Sequence, residues 1–106
     1  PLYTPMGSIA YSLAAGNTVV FKPSELTPGV GVWLAEKWNS LAAAHPVFQT
    51  VTGDGSTGTA LCTAGVDKIA FTGSTATAKK VMATCSDTRF AKISLAVIEK
   101  EGEDAP

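Results

Sequence analysis

The chain has 106 residues, 45% hydrophobic and 16% charged, with a formal net charge of -1 at pH 7. That length suits one domain or part of a larger one, and the apolar share is enough to build a core. The charge balance argues against a nucleic-acid surface, which needs clustered Lys and Arg; the adjacent pair Lys79-Lys80 reads as a solvated helix face.

Met6, Ile9, Ala10 and Leu13 recur at helical spacing and predict a first helix. Gly16-Asn17 ends it, since both residues tolerate a left-handed cap. Thr18-Val19-Val20-Phe21, bounded by Gly16 and Pro23, predicts a buried strand. Thr27-Pro28 reads as an N-cap with proline at the first helical position. Val30, Leu34, Trp38 and Leu41 then share one face of a helix running to about Ala44, stopped by His45-Pro46. Val47–Val51 is the second predicted strand, and Gly53 to Gly58 a loose turn. Thr59 to Ala64 reads as a short helix closed by Gly65, and Lys68 to Thr72 as the third strand. Ala78, Val81, Met82 and Cys85 define the apolar stripe of a further helix ending near Ser86-Asp87, and Lys92 to Ile98 is a candidate fourth strand before an acidic tail. Strands alternating with helices predict an α/β fold: a Rossmann-like parallel sheet with flanking helices.

No apolar run approaches the roughly 20 residues that span a bilayer, and the two regions of a signal peptide are missing. The sequence starts at Pro1 without a Met, which reads as an excerpt or as missing N-terminal residues. Two cysteines and the single histidine His45 are too few for a zinc site. The expectation is two reduced, buried thiols at Cys62 and Cys85 in a cytoplasmic protein, with a disulfide between them as the alternative.

In an open parallel sheet, ligands bind beyond the carboxyl ends of the strands. Three segments fall there: Lys22-Pro23-Ser24-Glu25, Thr52-Gly53-Asp54-Gly55 and Thr72-Gly73-Ser74. Lys22 and Glu25 offer a donor and an acceptor suited to vicinal ribose hydroxyls, and a carboxylate there would repel a 2′-phosphate, favouring NAD over NADP. The alternative is an ordinary surface pair. Thr72-Gly73-Ser74-Thr75, between a strand and a helix, suits an anion at a helix N-terminus, or simple capping. Gly53-Asp54-Gly55-Ser56-Thr57-Gly58 spells GxGxxG, yet the acidic residue expected about 20 positions later is poorly matched by Asp67. A glycine turn packed tightly is the competing reading. No Gly-Lys-Ser/Thr follows, which excludes a P-loop.

The stretch from Gly16-Asn17-Thr18-Val19-Val20-Phe21-Lys22-Pro23-Ser24-Glu25 to Leu26-Thr27-Pro28 resembles a signature of the aldehyde dehydrogenase superfamily. So does Phe71-Thr72-Gly73-Ser74-Thr75, with the Val51–Gly55 turn at a suitable spacing between them. The likeness runs from Pro1 to about Thr88, leaving residues 89–106 as a divergent tail on a partial dinucleotide-binding domain. The resemblance implies NAD as cofactor, with NADP the alternative. Lys22 and Glu25, on the segment that also carries Ser24, would hold the adenosine ribose, Gly53 and Gly58 would line the adenine, and Ser74 after Gly73 would meet the pyrophosphate. Ala78 stands where the family often has a second glycine.

The resemblance also implies oxidation of an aldehyde through a cysteine nucleophile, which the family carries beyond this chain's C-terminus; neither Cys62 nor Cys85 matches it. The family's oxyanion asparagine would precede Pro1. Matching Ile98-Glu99 and Gly102 to the family's base motif makes Glu99 the candidate general base, but needs extra residues upstream. Without that gap Ala96 takes the position and no base exists; the motif's first glycine is in any case Glu101. A solvated acidic tail is the competing reading of Glu99. The chain by itself is therefore expected to be inactive on aldehydes, with a nicotinamide dinucleotide as partner, an aldehyde only in a full-length enzyme, and homo-oligomers possible. A non-catalytic nucleotide-binding module and a degenerate fragment are the alternatives.

Overall fold

The computed structural model describes residues 2–41, 45–86 and 92–97, the last as backbone only. It divides into two compact units, Pro1–Gly58 and Thr59–Pro106. In the first unit, α1 (Tyr3–Ala14) leads to β1 (Val19–Phe21), then α2 (Pro28–Leu41) and β2 (Phe48–Thr50). β1 and β2 pair in parallel, Val19 with Phe48 and Phe21 with Thr50. Parallel neighbours need a crossover, and α2 supplies it.

Residue chemistry sets each boundary. At the end of α1 the Gly16 N–H donates to Leu13 O and the Asn17 N–H to Ser12 O, both at 3.0 Å. Gly16 sits at φ 86, so this is the Schellman closure that needs a left-handed residue. α2 opens on Pro28, where a missing N–H costs nothing. Its buried face carries Gly31, and a Cβ there would come within 2.8 Å of Pro23 Cγ and 3.1 Å of Phe21 Cε1. Glycine therefore lets the helix lie directly on the end of β1. The Thr50 hydroxyl donates to Gly31 O at 3.0 Å and ties β2 to the same turn of α2.

The core of this unit is Ile9 and Phe48, 6% and 2% exposed. Trp38 meets Phe48 edge to face, with ring centroids 6.4 Å apart, a geometry favoured by the aromatic quadrupole. Between α1 and α2 lies an apolar groove of about 490 Å³, lined by Met6, Leu13, Trp33, Trp38 and Leu41 among others.

In the second unit β3 (Lys68–Gly73), α4 (Thr75–Ser86) and β4 (Lys92–Val97) form another parallel βαβ unit. The register runs from Lys68 opposite Lys92 to Gly73 opposite Val97, and α4 packs on both strands. β3 alternates exposed and half-buried residues, as a strand covered on one face must. Cys62, Ala78 and Cys85 are buried. The remaining helix, α3 (Gly55–Thr63), begins in the first unit and ends in the second.

The α/β class, the helices and the parallel pairing agree with the sequence reading, and the fourth strand forms. The sheet appears as two parallel strand pairs, β1-β2 and β3-β4. Four expectations need correction. Gly53–Gly58 is not a loose turn, because α3 starts at Gly55, ahead of the expected Thr59. Three glycines within six residues hid that start, glycine being a poor helix former. Leu41 is 86% exposed and Met82 51%, so neither belongs to a buried stripe. Val20 is 45% exposed, making β1 half-buried. Ala44, Asp87 and Ile98 lie outside the described residues.

Candidate functional site

Lys22 follows the last residue of β1, and Val51 to Asp54 follow β2. Because the two strands are parallel, both segments leave the same end of the pair. The Val51 N–H donates to Phe21 O at 2.9 Å, holding the exits side by side. Buried Pro23 stiffens the first exit. The half-buried Lys22 donates from Nζ to Pro23 O at 3.1 Å, and its stem runs past Gly58, whose hypothetical Cβ would stand 3.8 Å from Lys22 Cδ. Glycine there leaves a flat backbone surface on the α3 side of the lysine.

Ser24 and Glu25 form the turn into α2. The Thr27 N–H donates to Ser24 O at 3.0 Å and the Leu26 N–H to Ser24 Oγ at 3.3 Å. Ser24 thus shapes the turn, and Glu25 at its tip is exposed. The second exit is capped by Asp54: its Oδ1 accepts the Ser56 N–H at 2.8 Å and the Ser56 hydroxyl at 2.6 Å. These two bonds, with a contribution from the Lys22 charge, hold the Asp54 carboxyl below its ordinary range. Gly53 is fixed at φ 148, and a Cβ on it would overlap the Thr57 hydroxyl. The structure therefore brings the Lys22 stem and Gly58 together, with Asp54 capping the helix that carries Gly58 and Gly53 as the tight corner before it. The sequence reading did not include Asp54 among the site residues. Its signal was an aspartate followed by Gly-Ser-Thr, the side chain an N-cap requires.

In the second unit, Gly73 ends β3 and Ser74 caps α4. Ser74 Oγ accepts the Thr77 N–H at 3.3 Å and donates to Thr77 Oγ1 at 3.0 Å, while Ser74 O accepts the Ala78 N–H at 2.9 Å. The strand, small-residue turn and helix expected from the sequence are present. Phe71 lies along Gly73, whose hypothetical Cβ would be 2.6 Å from Phe71 Cζ, so the turn has no room for a side chain. Ala78, in place of a second glycine, is 3% exposed and points into the unit's core.

Neither cysteine has the surroundings of a nucleophile. Cys62 and Cys85 are not in a disulfide and are 6% and 2% exposed. Burial, followed by the hydrogen bond to Cys85, pushes the Cys62 thiol up, the opposite of an activated thiolate. Glu99 lies outside the described residues. Among the described residues no cluster of His, Cys, Asp and Glu could hold a metal, and no helix is long and apolar enough to cross a membrane.

The family model described as "Aldehyde dehydrogenase family" matches residues 1–103. The chain belongs to the aldehyde dehydrogenase family. It is 45% identical over 78 residues to 4-trimethylaminobutyraldehyde dehydrogenase B of Danio rerio, covering 73% of this chain and 15% of that protein. Among solved structures it resembles PnpE in complex with nicotinamide adenine dinucleotide, with a TM-score of 0.86 and 37% identity over 94% of this chain and 21% of PnpE. It is also similar to an indole-3-acetaldehyde dehydrogenase complexed with NAD+, with a TM-score of 0.87 and 30% identity over 93% of this chain and 20% of that one. The aldehyde dehydrogenase sequence in hand thus spans about a fifth or less of the length of these relatives.

Proposed function

We propose that this chain is a cofactor-binding portion of an NAD(P)-dependent aldehyde dehydrogenase, a partial dinucleotide-binding domain whose tail at 89–106 diverges. The observation that carries this reading is the paired strand exit of the first unit. There Lys22 lies against the bare backbone of Gly58, and the Lys22–Glu25 segment emerges at the end of a parallel pair, where such sheets take their ligands. One of the three N–H groups on Lys22 is held by Pro23 O; the others suit ribose hydroxyls. Exposed Glu25 supplies the acceptor, and Ser24 sets the turn that presents it. Gly53 and Gly58 make the adenine side, and Gly73-Ser74 at the start of α4 takes the pyrophosphate. When bound, the nicotinamide ring would accept hydride from the substrate's carbonyl carbon in the full-length enzyme.

NAD is the preferred partner in this reading, since the Glu25 carboxylate would oppose a 2′-phosphate. Glu99 is its candidate general base. The chain by itself forms no NADH from aldehydes, because nucleophilic catalysis needs an activated thiol and both thiols are buried. Fluorescence of Trp33 or Trp38 during titration with NAD and NADP tests the binding. Saturable quenching, tighter for NAD, is the expected result; a flat response with no thermal shift would overturn the reading. NADH production from a panel of aldehydes by this chain would overturn the statement about catalysis. The exposed Trp33 and Leu41, 51% and 86% accessible, also favour self-association, which sedimentation velocity reads directly.

A further inference from the structure

The first unit carries an apolar surface that its own core does not use. α1 and α2 border the groove of about 490 Å³ whose walls include Met6, Leu13 and Trp38. Trp33 and Leu41 line it too, yet stand 51% and 86% exposed. The same face therefore offers both a recess and protruding apolar side chains of the kind that fill one. On α1, Tyr3 and Tyr11 are 93% and 79% exposed, and the helix includes no charged residue. A helix with one side in water ordinarily carries charged residues on it, and exposed apolar surface of this extent marks an interaction site.

The charges that are present narrow the choice of occupant. α2 has two, the neighbours Glu36 and Lys37, both exposed. Lys37 lines the groove, and its Nζ lies 5.9 Å from the centre of the Trp33 ring. One acid beside one base is self-complementary, because a two-fold interface sets residue i against j and j against i. A lipid surface would draw on a basic helix face, whereas the two helices hold one lysine and no arginine.

We propose that the α1–α2 face binds a second copy of this chain, with α2 crossing its twin antiparallel and the two-fold axis passing between Glu36 and Lys37. Each Lys37 then faces the partner's Glu36, and each Leu41 arrives beside the partner's Trp33. At 1.5 Å per residue the two helices are about 18 and 21 Å long. A patch of that reach is at the small end of specific interfaces, so the dimer is weak and depends on concentration.

Sedimentation velocity of the 106-residue chain over a wide concentration range, without dinucleotide, tests this independently of the cofactor reading. A reversible monomer–dimer equilibrium is expected. Leu41→Glu should weaken it by about 10-fold or more, since a carboxylate would be pressed into an apolar contact; Leu41→Ser should weaken it less. Both variants should keep the parent's circular dichroism and melting temperature, the side chain being exposed. Glu36→Lys and Lys37→Glu should each weaken self-association, and mixing the two variants should restore a dimer. A monomer at every concentration, a dimer indifferent to Leu41→Glu, or open-ended aggregation without a dimer would each overturn the proposal. So would a monomer that floats with phosphatidylcholine vesicles, which would give the face to a lipid surface. Failure of the mixed variants to pair would overturn the placement of the axis.

Discussion

At the scale of single residues, the first unit's strand exits depend on a few polar contacts that can be removed one at a time. Lys22→Ala and Glu25→Ala should each weaken NAD binding by about 10- to 100-fold, the size of a hydrogen bond involving a charged group, while melting temperatures stay near that of the parent. Glu25→Gln should also narrow the preference for NAD over NADP. Titration calorimetry with both dinucleotides checks these variants. Asp54 makes a prediction in pH. Its folded carboxyl titrates below its ordinary range, so the cap on α3 stabilises the fold above that range and is lost as pH falls through the depressed value. Asn caps as well as Asp but does not titrate. Melts from neutral into acid pH should therefore show a steeper loss for the parent than for Asp54→Asn. Equal slopes would remove Asp54 as a contributor. Ser74→Ala should cost about 0.5–2 kcal/mol of stability through the lost cap, measured by denaturant unfolding.

At the scale of elements, close approach decides where substitutions fail. Gly31→Ala would drive a Cβ to within 2.8 Å of buried Pro23, and overpacking of this kind costs roughly 1–3 kcal/mol. Urea unfolding should register it as a lower midpoint at unchanged slope. Most elements were legible in the sequence because their signals were local: the i, i+3, i+4, i+7 stripe of α1, proline at the head of α2, the β-branched run of β1. The start of α3 was not. Its evidence was one capping aspartate set among glycines whose low helix propensity points the other way, and hydrogen bonds from Ser56 decide the matter only once the chain is folded. The exposure of Leu41 and Met82 was equally hidden, because periodicity gives spacing along a helix but not the width of the face that is covered.

At the scale of the molecule, the family was legible because a long motif and a short one occur at matched spacing, and the family match over residues 1–103 agrees. The candidate site was legible in part. Lys22, Gly53 and Gly58 were read from the sequence and lie at one pair of strand ends, whereas the capping of α3 by Asp54 depends on a β2 exit that no local pattern announces. Among the described residues, Phe48 is the large side chain most fully buried in the first unit, 2% exposed. Phe48→Ala should cost about 3–5 kcal/mol, a large share of what a domain this size has, and should abolish the cooperative melt of that unit.

As proposed, this chain carries dinucleotide-binding capacity without the reacting thiol. Titration calorimetry of NAD into the parent chain, alongside Lys22→Ala, tests it most directly. A saturable one-site isotherm is expected for the parent, weakening by at least tenfold in the variant while its fold is retained. No heat of binding in the parent, or identical isotherms for the two proteins, would contradict it.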